Sequence, residues 1–198
     1  MLRGLRGPDV RVVITGMGAG PAERHTAAAI ADGAVAAIST GFCGALDPAL
    51  GLGDVVVPER VLDSATGETF ECDASLTTGA GPRGGTLVTT PVVVGDRAAR
   101  AALTGVAVDM ESAGIARACA LAGIPFAAIR AVTDRAGDVL PHFDGLVDEA
   151  GRVHGMAMAR RLIAHPSEIA AWTRLARGAN AARRGLVPAV TAMLADAA

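Results

Sequence analysis

Apolar positions along the chain arrive in short runs separated by glycine-bearing turns. Val10 to Thr15, with Val12, Val13 and Ile14 consecutive, is bounded by Pro8 and Gly16 and predicts a strand buried on both faces. Gly16-Met17-Gly18-Ala19-Gly20 follows, and Pro21 suits the first turn of a helix that runs to about Asp32 and stops at Gly33. A second strand, Val35 to Ser39, leads into the turn Gly41-Phe42-Cys43-Gly44. Strand, helix, strand in this order predicts a βαβ unit with a right-handed crossover. Asp54 to Pro58 is a further short strand, and Val61–Asp63 and Thr69–Cys72 form a hairpin around Ala65-Thr66-Gly67. The glycine-rich stretch 74–85 predicts a mobile surface loop. A strand over Thr86–Val94 breaks at Pro91, and a short helix covers Asp96–Leu103. Gly105–Ser112 passes from strand into a helix ending near Ala122, and Phe126–Val132 is a strand closing on Thr133-Asp134. Beyond Gly145 the pattern is helical, with Pro166 opening a helix on which Ile169, Trp172 and Leu175 share one face. No internal repeat or linker divides the chain, so residues 1–198 are expected to form one α/β domain with a helical C-terminal part.

Composition narrows the class. At 51% hydrophobic, with a mean hydropathy of +0.41, the chain can bury a large core, which excludes intrinsic disorder. The net charge of −2 offers no electrostatic footprint for nucleic acid. All 18 basic residues are arginine and tyrosine is absent, the mark of a GC-rich coding sequence. Cys43, Cys72 and Cys119 make no closed disulfide framework and lack metal-ligand spacing, so a reducing cytoplasm is expected, and no metal. The first residues lack the apolar core of a signal peptide, and no apolar run is long enough to span a membrane.

In open α/β sheets, ligands sit beyond the carboxyl ends of the strands. Four stretches qualify: Gly16–Gly20, Thr40–Gly44, Met110–Glu111 and Thr133–Asp134. The first opens as G-x-G-x-x-G does, but Pro21 replaces the third glycine, and Ser39 and Thr40 stand where a ribose-binding acid is expected. A dinucleotide site fails on both counts, and the loop alone is equally a tight turn. Asp109 and Glu111 at a helix start are, on local grounds, dipole partners or caps before they are ligand groups. Asp134, at the mouth of a buried strand, is either a turn-forming residue or a carboxyl that desolvation would help to hold a proton. Cys43 and Cys119 read as packing thiols, and His25, His142, His154 and His165 are scattered without ligand spacing. The Ile169–Trp172–Leu175 stripe beside Arg174, Arg177, Arg183 and Arg184 suits a core or oligomer face better than a membrane surface.

Taken in order, Thr15–Gly18, Ser39–Leu46, Gly53–Val57, Val108–Ser112 and Pro125–Asp134 resemble the purine nucleoside phosphorylase and nucleosidase superfamily. The resemblance implies a three-layer αβα fold around a mixed, curved sheet, and cleavage of the N-glycosidic bond of a purine nucleoside. It implies that Asp134 is the general acid facing N7 of the base, supported by Thr133, and that Met110 and Glu111 hold the ribose. Val93 and Val94 would line the base pocket. Phe42, Cys43 and Gly44 would contact the substrate, with Gly16, Gly18, Thr40 and Gly41 around the incoming water or phosphate. No organic cofactor is implied, and the family is commonly dimeric or hexameric, so a homo-oligomer is expected. The residue types fit the chemistry. Glycosidic cleavage develops positive charge on the sugar, and a neutral carboxylic acid at N7 turns a poor anionic leaving group into a neutral one.

Leu140-Pro141, Gly151-Arg152-Val153 and His165-Pro166-Ser167 leading to Leu175-Ala176-Arg177 resemble the hopanoid-associated phosphorylases, which release adenine from adenosylhopane. That likeness implies a peripheral membrane contact. Methylthioadenosine/S-adenosylhomocysteine nucleosidase is the alternative, with futalosine hydrolase behind it and a catalytically impaired nucleoside-binding homologue from a different class. Two departures stand out. Phosphorolytic members bring an arginine just before the second glycine turn, where this chain has Ile38-Ser39-Thr40, so water is favoured as nucleophile. Members also begin with a further strand ahead of Val10, and nucleosidases follow it with a water-activating glutamate. Only nine residues precede Val10, which leaves Glu23 or Glu59 as substitutes, or hydrolysis crippled.

Overall fold

The computed structural model describes residues 10–141 and 164–196. Among these, the strands are β1 (Ala37–Ala45), β2 (Val55–Val56), β3 (Arg60–Asp63), β4 (Thr69–Glu71), β5 (Thr86–Thr89), β6 (Ala107–Asp109) and β7 (Phe126–Asp134). The helices are α1 (Ala19–Ala31), α2 (Arg97–Ala101), α3 (Ser112–Ala122) and α4 (Ile169–Asp196). One seven-stranded mixed sheet runs in the order β2–β7–β1–β6–β5–β3–β4. β1 and β7 are parallel, as are β3 with β5 and β5 with β6, while β1 and β6, β2 and β7, and β3 and β4 are antiparallel.

All nine residues of β7 are buried, because both faces of this strand are covered. Phe126, Ala128 and Val132 join the core built with Ala22 of α1 and Ala113, Ile115, Ala116 and Cys119 of α3. Ile129 and Ala131 point the other way, onto Ala182, Leu186, Val190 and Met193 of α4. The sheet therefore lies between an α1/α3 layer and α4, a three-layer αβα arrangement. Burying Leu186, Val190 and Met193 contributes about 1.5–3 kcal/mol each, enough to fix α4 on the sheet. The contact is close: a Cβ on Gly178 would sit 1.7 Å from the Thr133 carbonyl oxygen. On the α1/α3 side, Arg117 reaches across to Asp63, Glu68 and Glu23 and lies over the Phe70 ring, tying α3 to the β3–β4 hairpin and to α1.

Four expectations are corrected. Val10–Thr15 joins no ladder among the described residues; Val12 is 45% and Ile14 72% exposed. An apolar run becomes a buried strand only with a neighbour to pair with. β1 has β7 along one side and meets β6 only at Gly44 and Ala45. The expected βαβ unit at α1 is therefore not formed. Gly41–Gly44 is strand interior rather than a turn, since β1 continues to Ala45 beside β7. Stretch 74–85 is not wholly a surface loop: Asp73 caps a 3-10 turn over Ala74–Thr77, and Thr77 and Ala80 are buried. The hairpin, the helix from 112 to 122 and the last strand stand where the pattern puts them. The stripe on α4 lies further along than expected, with Ile169 exposed and Trp172 and Leu175 half-buried. The helical pattern expected from Gly145, with Gly151-Arg152-Val153, falls largely outside the described residues. No described helix is long and apolar enough to cross a membrane.

Candidate active site

Parallel pairing of β1 with β7 aligns Gly41 with Arg130 and, after a register shift at Cys43, Gly44 with Asp134. Such an irregularity re-aims the side chains beyond it. The Asp134 side chain is 7% exposed and both its oxygens face partners. Oδ1 lies 2.6 Å from the Thr133 hydroxyl, and Oδ2 is ion-paired with Nη2 of Arg100. The Thr133 hydroxyl is also 3.1 Å from the Cys43 carbonyl oxygen. Its single proton can go to the carboxylate, or to that carbonyl while the hydroxyl accepts from a protonated Asp134, so both forms of the acid find a partner. Arg100, 3% exposed on α2, also donates from Nε to the Val94 carbonyl and from Nη1 to the Arg135 carbonyl, each at 2.9 Å. Gly44 leaves the room for this pair: a Cβ there would be 2.8 Å from Asp134 Oδ2 and 3.2 Å from Arg100 Nη2.

The second cluster sits at the end of β6. Asp109 is fully buried and accepts from the Thr89 hydroxyl (2.6 Å), the Ser112 amide (3.1 Å) and Nη2 of Arg130 (2.6 Å). Arg130 also donates to the Ser39 and Ser112 hydroxyls, at 2.7 and 2.9 Å. A Cβ on Gly41 would stand 2.5 Å from its Nη1, so the glycine lets the guanidinium cross β1. Nη1 reaches 3.8 Å from Glu111 Oε2, and Glu111 Oε1 accepts from the Gly18 amide at 3.0 Å. The two neighbouring carboxylates thus have separate duties: Asp109 is locked inside the fold, and Glu111 is turned to the Gly16–Gly20 loop.

Burial raises the Glu111 carboxyl above the ordinary glutamate value; Arg130 opposes the rise, Asp109 adds to it, and the amides of Gly18 and Met110 oppose it. A carboxyl raised in the folded state makes folding less favourable as pH climbs from the unfolded value to the folded one. Glu111→Gln is therefore expected to raise Tm at pH 8 and to leave it unchanged near about pH 3, where the glutamate is protonated in both states. Thermal melts at the two pH values check this, and a lower Tm at pH 8 would show that Arg130 outweighs burial.

The structure brings together all four stretches picked out in the sequence. Gly18 meets Glu111, Glu111 meets Arg130 beside Gly41 and Phe42, Cys43 meets Thr133, and Gly44 meets Asp134. Thr40 has a buried hydroxyl in the same strand, Met110 is half-buried beside Glu111, and Val94 is tied to Asp134 through Arg100. Val93 is 37% exposed on that loop. Burial pushes the Cys43 thiol far up, so it stays protonated and inert. Neither substitute glutamate is here. Glu23 pairs with Arg117 at 3.4 Å, and Glu59 is exposed ahead of β3, at the opposite end of the sheet. Arg100 and Arg130 are the residues the sequence does not point to. Arg130 is also the cation expected to be lacking beside Ser39 and Thr40, delivered from the adjacent strand instead of the preceding residue.

A family model described as "Phosphorylase superfamily" matches residues 2–82 and 73–164. No curated protein sequence matches the chain. Among solved structures, a 5′-methylthioadenosine/S-adenosylhomocysteine nucleosidase from Colwellia psychrerythraea in complex with adenine is similar at 21% identity and TM-score 0.68, over 91% of this chain and 75% of that one. The corresponding Neisseria meningitidis enzyme, in complex with methylthio-immucillin-A, gives 21%, 0.65, 91% and 78%. A futalosine hydrolase mutant from Helicobacter pylori gives 19% and 0.55, over 60% of this chain and 68% of that one. At these identities the likeness is one of fold.

Proposed function

Because the chain belongs to the phosphorylase superfamily, we propose that it cleaves the N-glycosidic bond of an adenine nucleoside and releases adenine. The observation that carries this reading is the pair of acids at the end of β7 and past the end of β6, Asp134 buried and Glu111 half-buried, with the Gly18 amide on Glu111. In this reading Asp134 donates its proton to N7 as the C1′–N9 pair moves into the purine. Thr133 and Arg100 then hold the carboxylate that proton transfer leaves behind, a stabilisation in place before the charge forms. Glu111 accepts from the ribose hydroxyls, and its charge favours the developing oxocarbenium ion. Val93 and Val94 flank the base, with Met110 at the ribose.

Water remains the favoured nucleophile, for a reason the sequence could not supply. Arg130 does stand beside Gly41, but Asp109 and Glu111 surround it with two carboxylates, an environment that repels a phosphate dianion. Adenosylhopane is the proposed substrate and methylthioadenosine or S-adenosylhomocysteine the alternative. Protein incubated with each nucleoside, with and without inorganic phosphate, should release adenine and a free sugar. A ribose 1-phosphate product would reverse the choice of nucleophile, and no adenine from any nucleoside would sink the activity. Glu23 and Glu59 lie away from the site, which favours a second reading as a nucleoside-binding protein; tight adenine binding without turnover would select it.

A further inference from the structure

Two loops at the carboxyl end of the sheet leave apolar side chains in water. The one between β5 and α2 exposes Val92 (65%) and Val93 (37%), and the stretch after β7 exposes Val139 (58%). They are one rim: the Leu140 amide donates to the Gly95 carbonyl at 3.0 Å and Arg97 Nη2 to the Gly137 carbonyl at 3.0 Å. Across a cavity of about 230 Å³, Arg135, Val139 and Leu140 face Arg174, Leu175 and Arg177 of α4. Arg97, Arg135, Arg174 and Arg177 are all exposed. Among the described residues of the rim, Asp96 and Asp138 cap the Ala99 and Arg135 amides, both at 2.8 Å, and keep their charge, so the four arginines outnumber the acids by two.

Single exposed valines are ordinary, but three on linked loops ringed by four arginines are the composition of an interfacial surface. We propose that this rim docks on an anionic lipid bilayer, Val92 and Val139 entering the headgroup region and the arginines meeting lipid phosphates. Nucleic acid is the poorer fit, because the described residues of the rim include no exposed aromatic side chain on which a base could stack. The docking rests on the rim alone. Only its consequence, that the Asp134 cavity opens toward the membrane and suits a nucleoside with a large apolar substituent, rests on the proposed activity.

Co-sedimentation of the full chain with vesicles tests it. Binding should be strong to phosphatidylcholine mixed with phosphatidylglycerol, weak to phosphatidylcholine alone, and reduced by salt. Each arginine near an anionic surface contributes about fivefold, so the double variant Arg174→Glu/Arg177→Glu should bind at least about 25-fold more weakly with an unchanged melting temperature. Val92→Ser/Val139→Ser should weaken the salt-resistant part. Equal binding to both vesicle types, no binding, an unaffected arginine variant, or tighter binding to single-stranded RNA would overturn the proposal. So would cross-linking of Val92→Cys between two copies in solution, which would assign the rim to self-association. Adenine release is measured separately, so vesicle binding without turnover would sink the activity and leave the docking standing.

Discussion

Asp134→Asn is expected to slow adenine release by about 10²–10⁴-fold, the range for removing a general acid, while the chain still folds. Asparagine keeps an oxygen for the Thr133 hydroxyl, and Arg100 keeps its bonds to the carbonyls of Val94 and Arg135. What is lost is the transferable proton and the charge that Arg100 is placed to hold. Turnover and thermal melting, measured on one preparation, separate the two effects. Wild-type turnover in a folded variant would remove Asp134 from the chemistry. Loss of turnover together with loss of the melting transition would mean that the ion pair with Arg100 serves the fold first. Arg100→Gln then discriminates further: a positioning residue lowers kcat more than it raises KM and moves the pH profile, whereas a purely structural one lowers Tm and leaves the profile of the folded fraction in place.

The layers of the fold were legible because the strongest signals are local. Phe126–Val132 is apolar but for Arg130 and does not alternate, the pattern of a strand covered on both faces. The Val10–Thr15 run carries the same signal, yet no strand among the described residues pairs with it, because pairing is decided by topology and not by the run itself. The candidate site was legible as positions, since strand ends open toward ligands wherever the sheet order places them. Its charges were not. Arg130 lies in the middle of an apolar strand, where one residue in two faces the α1/α3 side, and only the β1–β7 register shows that its guanidinium crosses Gly41 to reach Ser39. Arg100 sits on a five-residue helix far from Asp134 in sequence, so reading Asp134 by desolvation alone missed its counter-charge. Single-residue motifs record which groups are present, and partners brought by sheet register leave no spacing to find.

Arg130→Met should be the most damaging single change to stability, by about 3–5 kcal/mol, because it strands the fully buried Asp109 carboxylate. For a chain of this size that is a fall of about 6–20 °C in Tm. The Thr89 hydroxyl and the Ser112 amide stay on Asp109, but neither carries charge, so the desolvation of the carboxylate goes uncompensated. Asp109→Asn combined with Arg130→Met should recover a large part of the loss, since neutralising the stranded acid removes the cause of the damage; the coupling between the two changes, read from urea titrations, measures the pair. Recovery of Tm without recovery of adenine release is the expected result, because Glu111 would still lack the guanidinium 3.8 Å from its Oε2. A single variant that loses less than about 1 kcal/mol would show that the Arg130 network is not what holds β1, β6 and β7 in register at the site.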